Sequence, residues 1–234
     1  MENKNIILSS DQSLLEVYND KPWAKAIIQL IPYAGTLINE ILSHKGNKIT
    51  EQRLEGLFNA LYECIKDLDN ITLKKDWANS EEFYDILQVA IESCIRTRSK
   101  EKMQLNAMLL CSFLNNENKD SFTYDEYLGA INDLTPLELN VLVSIYKRVQ
   151  LVQKKPTFND LEYAKELDLK NWVKEKCEIE EDIYEFIIKR LERTGFIREI
   201  TGSYLSYTGG QYTLTEAFKK LVDYLNKSEK NLLF

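Results

Sequence analysis

Between Pro22 and Ser43 the chain reads PWAKAIIQLIPYAGTLINEILS, its most apolar stretch, and this segment sets the class of fold. Polar residues recur at Lys25, Gln29, Thr36, Asn39, Glu40 and Ser43. With Pro32 they trace one narrow helical stripe, and the rest of the circumference is apolar. A helix of that kind is buried, in a protein core or in lipid. Pro22 suits a first helical turn, where its missing N–H costs nothing. Pro32 stands mid-pattern, deletes one backbone hydrogen bond, and is expected to kink or break the helix between Gln29 and Gly35. The expectation is a central, kinked helix in an all-α domain. The competing reading is a membrane-active hairpin that leaves the core when triggered, with Ile27, Ile31 and Leu37 as its lipid contacts. Lys25 ahead of the main apolar run and Asn39–Glu40 inside its second half argue against a constitutive span, which needs roughly 20 apolar residues with few charges.

Eight glycines and four prolines in 234 residues favour long helices over many-turned β structure. A formal charge of −7 opposes general affinity for nucleic acid or anionic membranes. The opening MENKNIILSSDQ has no cationic region followed by an apolar run, so no secretory signal is expected and a cytoplasmic protein is. Cys64, Cys94, Cys111 and Cys177 are widely separated and form no CxxC, as suits reduced core thiols.

Residues 1–20 are polar and read as a loosely docked arm, and 21–133 as a helical bundle. After the linker 44–49, Thr50 is expected to cap a helix with Leu54, Leu57, Phe58, Leu61, Tyr62, Ile65 and Leu68 on its inner face. Ser80 is the expected N-cap of the next, with Glu81 and Glu82 in its first turn and Phe83, Ile86, Leu87, Ala90, Ile91 and Cys94 buried. Ser99 is placed to cap a broadly apolar helix from Met103 to Leu114. Thr123 and Glu126 read as the capping box of a short helix.

A second domain is expected over 134–234. Thr135-Pro136-Leu137-Glu138 combines an N-cap, a proline at the first helical position and a Glu at N3. It should start a helix over 135–149. Further helices are expected over Asn159–Leu167 and over Ile179–Arg193, the latter with Ile183, Phe186, Ile187 and Leu191 inward and Gly195 at its end. Strands are expected over 196–201 and 211–215, and Thr215 should cap a last helix. The residues RLERTGFIREI and QYTLTEAFKKLVDYL resemble the end of many winged-helix domains, which implies that fold for 134–234 and little about activity.

Winged helices commonly bind DNA through the third helix and the wing. Here that helix opens with Glu178, Glu180, Glu181, Asp182 and Glu185, and the wing from Thr201 to Thr213 has no Lys or Arg. Carboxylates at that end repel phosphates, which supply most of the affinity for a duplex. From Asp133 onward 16 basic residues face 17 acidic ones, a net −1, leaving −6 for the first part. Tyrosines at a wing suit protein contacts. The leading expectation is therefore a non-enzymatic protein-interaction module with Tyr204, Tyr207, Tyr212, Glu181 and Glu185 at its contact surface. The alternative is a DNA-binding regulator using Lys189, Arg190 and Arg193.

Catalytic motifs are absent from the sequence. His44 is the only histidine, in HKGNK, and makes no zinc set with the scattered cysteines. No phosphate-cradling glycine motif occurs. The acidic run from Glu178 to Asp182 lacks the spacing and turning glycine of a calcium loop. No cofactor is expected. Arg96, Arg98, Lys100 and Lys102, in IRTRSKEKM, form a basic cluster that reads as a polar helix junction or as a contact for a phosphate, an acidic protein or a lipid headgroup.

Ile31, Pro32, Gly35 and Ile38, then Arg98, Ser99, Glu101 and Lys102 leading into Leu105, Ala107, Leu109 and Leu110, followed by a winged-helix-like end, resemble a family of uncharacterised bacterial helical-bundle proteins. The resemblance rests on short motifs and carries no catalytic residue over. The kinked apolar hairpin is also similar to helical-bundle cell-death domains of bacterial defence systems, which implies a stress or phage-defence setting.

Overall fold

The structure is a computed structural model that describes residues 21–31, 33–45, 47–66, 75–115, 121–152, 167–200 and 210–226. It is mainly helical, with one antiparallel two-stranded hairpin among the described residues. The chain divides into two compact units, 1–128 and 129–234.

In the first unit the apolar segment forms α1 (Pro22–Leu30) and α2 (Ala34–Lys45), bent by 117° at the break that contains Pro32. Ile27 and Ile31 are fully buried and Leu37 is 3% exposed. Lys25, Gln29, Thr36, Asn39 and Glu40 face solvent, as the polar stripe requires. The Trp23 ring stacks on Phe58 at 5.3 Å. Phe58 belongs to α3 (Lys48–Ile65), which buries Leu54, Leu57, Phe58, Leu61, Cys64 and Ile65. Its cap is Asn47, not Thr50: the Asn47 carboxamide oxygen accepts the amides of Ile49 and Thr50 at 3.0 and 2.9 Å. Asn47 is extended and so aims its side chain back at the open amides, whereas Thr50 already lies inside the helix.

A short α4 (Lys75–Ala78) precedes α5 (Glu81–Arg96), which Ser80 caps by accepting the Phe83 amide at 3.2 Å. Then comes α6 (Lys100–Asn115), capped by Ser99 through the Lys102 amide at 3.2 Å. Every residue from Leu105 to Leu114 is buried, so α6 is the enclosed centre of this unit, packed along α3 and α5. That corrects the expectation for the 22–43 segment. Past its first turn α6 is enclosed on every side from Leu105 to Leu114, while α1 and α2 each keep a wet side. Asn106, fully buried, donates to the Ser93 hydroxyl and the Cys94 sulfur at 3.1 and 3.4 Å. Helix α7 (Ser121–Asp133) starts before Thr123, so Thr123 is inside it and not its cap; the unit boundary falls within this helix.

In the second unit α8 (Pro136–Val152) begins as the capping box dictates. The Thr135 hydroxyl accepts the Glu138 amide at 3.2 Å, and the Glu138 carboxylate accepts the Thr135 amide at 2.6 Å. The expected helix over Asn159–Leu167 lies, but for Leu167, outside the described residues. A helix not foreseen follows, α9 (Leu169–Cys177), bounded by Asp168 and Glu178 with φ of 39° and 53°. It is fixed to α8 by the Trp172 indole N–H, which donates to the Ser144 carbonyl at 3.1 Å. Arg148 donates to the Leu167 carbonyl at 2.8 Å and its guanidinium lies 4.9 Å from the Trp172 ring.

Next is α10 (Glu181–Arg193), ended by Gly195 at φ 75°. The strands β1 (Ile197–Glu199) and β2 (Tyr212–Leu214) pair in the register Ile197 with Leu214 and Glu199 with Tyr212. Thr215 caps α11 (Glu216–Asn226) by accepting the Phe218 amide at 3.2 Å, and its hydroxyl donates to the Gly195 carbonyl at 2.6 Å. Phe218 closes this end of the core edge-on against Phe196 and Tyr146.

Candidate functional site

The surface that stands out is the outer side of α10. Its core stripe is Tyr184, Ile187, Ile188 and Leu191. That rotates the helix relative to the expected inward set: Ile183 is 41% exposed and Phe186 62% exposed. Apolar and aromatic residues at 183, 184, 186, 187, 188 and 191 cover more than half of the helix, and only some of them fit against α8 and β1. Isolated exposed apolar residues are ordinary, but two neighbours at i, i+3 on one helix face form a patch.

One ion pair orients this helix. Arg190 donates to Glu138 on α8, through Nε to one carboxylate oxygen and through an Nη to the other at 3.5 Å. Glu138 is 2% exposed. Burial pushes its carboxyl up, but the bonds from Arg190 and Thr135 outweigh that and hold it below its ordinary value. Phe186 lies over the same guanidinium at 5.8 Å, and Leu137, 38% exposed, directly precedes Glu138. Phe186 thus lies against the cation of the pair.

The acidic start of α10 is partly neutralised. Glu181 is held by Lys170 and by Lys174 at 2.7 Å, which lowers its carboxyl, Lys170 contributing most. Glu185 is exposed. Tyr212, expected on the surface, is 6% exposed, because the strand register turns it inward, and its ring lies 5.4 Å from the Lys189 ammonium. Tyr204 and Tyr207 lie outside the described residues.

The three basic residues proposed for a duplex are not equally available. Arg190 is held by Glu138, and Lys189 pairs with Glu192 at 2.9 Å. Tyr212 first, and then Glu192, raise the Lys189 pKa. Arg193 is exposed. In the basic cluster of the first unit, Arg96 reaches Glu92 at 3.5 Å and Arg98 and Lys100 are exposed, but Lys102 is 8% exposed. The first turn of α6 rotates Lys102 toward the core side, so the four do not form one surface cluster. Ile27, Ile31 and Leu37 are core residues. No described helix is long and apolar enough to cross a membrane; α1 and α2 together reach that composition only as a bent pair.

A groove of about 490 Å³ runs beside α8 and the end of α9, lined by Leu137, Asn140, Ser144, Lys147, Trp172, Lys176 and Cys177. Burial raises the Cys177 thiol, against a smaller opposing effect of Ser144, so it is poorly suited to attack as a thiolate. Among the described residues no group of three or more His, Cys, Asp or Glu is arranged to hold a metal ion.

Compared with models of known protein families, the sequence matches none. Comparison with curated proteins and with solved structures likewise finds no match.

Proposed function

We propose that the chain is a non-enzymatic protein-interaction module whose second unit, a winged-helix-like array of three helices, hairpin and closing helix, docks a protein through the outer face of α10. The observation that carries this reading is the exposure of Phe186 and Ile183 on a helix held by the ion pair of buried Glu138 with half-buried Arg190. A rigid aromatic presented beside an arginine is the kind of anchor that dominates protein interfaces. The same face is a poor duplex surface: carboxylates crowd its start and two of its three cations are already held by carboxylates. A bacterial stress or defence setting in the cytosol, implied by the family resemblance, belongs to the same proposal.

The test is a paired capture. Tagged parent chain and the Ile183→Ser/Phe186→Ser variant are used as baits after nuclease treatment. A protein held stoichiometrically by the parent and lost with the variant, whose melting curve is unchanged, supports the reading. Capture that is indifferent to both substitutions refutes it, and tight duplex binding with a steep salt dependence would turn the assignment to a regulator.

A further inference from the structure

The outer face of α10 carries its charges in order. Asp182, Phe186, Lys189 and Arg193, spaced four, three and four residues apart, lie on one stripe, opposite the buried Tyr184, Ile187, Ile188 and Leu191. Glu185 flanks the stripe on one side, and Ile183 and Arg190 on the other. Along the helix axis the face is acidic, then apolar, then basic. Asp182 and Arg193, at its two ends, are exposed and have no ion-pair or hydrogen-bond partner among the described residues.

Turned end for end, such a stripe is its own complement. We propose that the occupant of this face is a second copy of the chain, with α10 packed antiparallel on α10 about a two-fold axis passing between Ile187 and Ile188. The proposal rests on the reading above that the face docks a protein, and names the partner. About that axis Asp182 meets Arg193 of the second copy and Phe186 meets Lys189, each contact occurring twice as an isologous interface requires. The two Phe186 side chains are then three residues apart along the axis, roughly 4.5 Å, close enough to pack side by side. Each ring also covers the aliphatic stem of Lys189 from the other copy. Arg190, on the flank of the stripe, keeps Glu138 as its partner. A parallel arrangement would instead set acid against acid and base against base. A helix of 13 residues is about 20 Å long, so the contact lies at the small end of specific interfaces. The dimer is accordingly reversible, concentration-dependent and weakened by salt.

Sedimentation velocity over a rising series of protein concentrations tests this. The parent should shift from monomer to dimer. Asp182→Arg and Arg193→Asp should each stay monomeric, because each sets like charges across the axis. An equimolar mixture of those two variants should associate, since only the mixed pair restores both contacts, and the double variant Asp182→Arg/Arg193→Asp should associate by itself. The double variant also decides the case should one single variant fail to fold. A parent that stays monomeric throughout, single variants that associate like the parent, or a mixture and a double variant that both stay monomeric would each overturn the proposal. If the parent is monomeric while capture of another protein still depends on Phe186, self-pairing is wrong and the docking face stands. If capture is independent of Phe186 as well, both fall.

Discussion

Glu138→Ala probes how firmly α10 is held. The side chain is buried and accepts two kinds of hydrogen bond: one from the Thr135 amide, closing the capping box, and those from Arg190. Loss of a cap costs about 1 kcal/mol. A hydrogen bond to a charged group is worth about 1.5–3 kcal/mol, and the lower end applies here because the other side chain is one-third exposed and water screens it. Glu138→Ala should therefore destabilise the chain by about 2–3 kcal/mol in urea unfolding at neutral pH. The pH dependence follows from the direction of the shift. The carboxyl sits below its ordinary value when folded, so its contribution is complete above the unfolded value of roughly 4.3 and is lost as pH falls through the folded value. The gap between parent and variant should be constant from neutral pH down to the unfolded value and close as pH falls below it. Arg190→Met should cost much less in the Glu138→Ala background than alone. A loss under about 1 kcal/mol for Glu138→Ala, a gap that widens in acid, or strict additivity with Arg190→Met would refute the argument.

Three further outcomes are expected. Tyr124 is fully buried edge-on to Phe113, and its hydroxyl has no partner among the described residues, so Tyr124→Phe should leave stability unchanged or raise it by about 1 kcal/mol; a loss of that size in thermal unfolding would show that the hydroxyl is bonded. Gly129 lies inside α7 with open space where a Cβ would stand, so Gly129→Ala should add about 0.5–1 kcal/mol in the same assay. Ile31→Lys places a charge in a fully enclosed site and should unfold the first unit, seen as loss of helical circular dichroism and cooperative melting; a folded variant that merely loses liposome leakage would revive the membrane reading.

Helix starts were legible in the chain because caps are local chemistry. Ser80, Ser99, Thr135 with Glu138, and Thr215 each bond amides within three residues, and Gly195 takes the left-handed conformation a helix end favours. Thr50 misled because Asn47, equally suited, stands three residues earlier. Faces were harder. On α10 two overlapping apolar stripes fit one sequence, and only the neighbours in the fold choose Tyr184 and Ile188 over Ile183 and Phe186. The same holds for Lys102, which a run of basic residues makes look exposed, and for Tyr212, whose burial depends on strand register. Helix α9 escaped notice because it is short, largely polar, and flanked by Asp and Glu, not by Gly or Asn. The spacing of Leu169, Trp172 and Val173 is the signal that would have found it.

Asp168 and Glu178 hold α9 between two left-handed backbones at a cost of about 1 kcal/mol each, and neither is a glycine. The helix is kept by what Trp172 and Arg148 fasten to α8, so its amides should exchange with solvent before those of α8 and α10. Each such opening withdraws Lys170 and Lys174 from Glu181. The start of α10 then regains its full negative charge, so the charge at this end of the helix is set by how often one short neighbouring helix lets go.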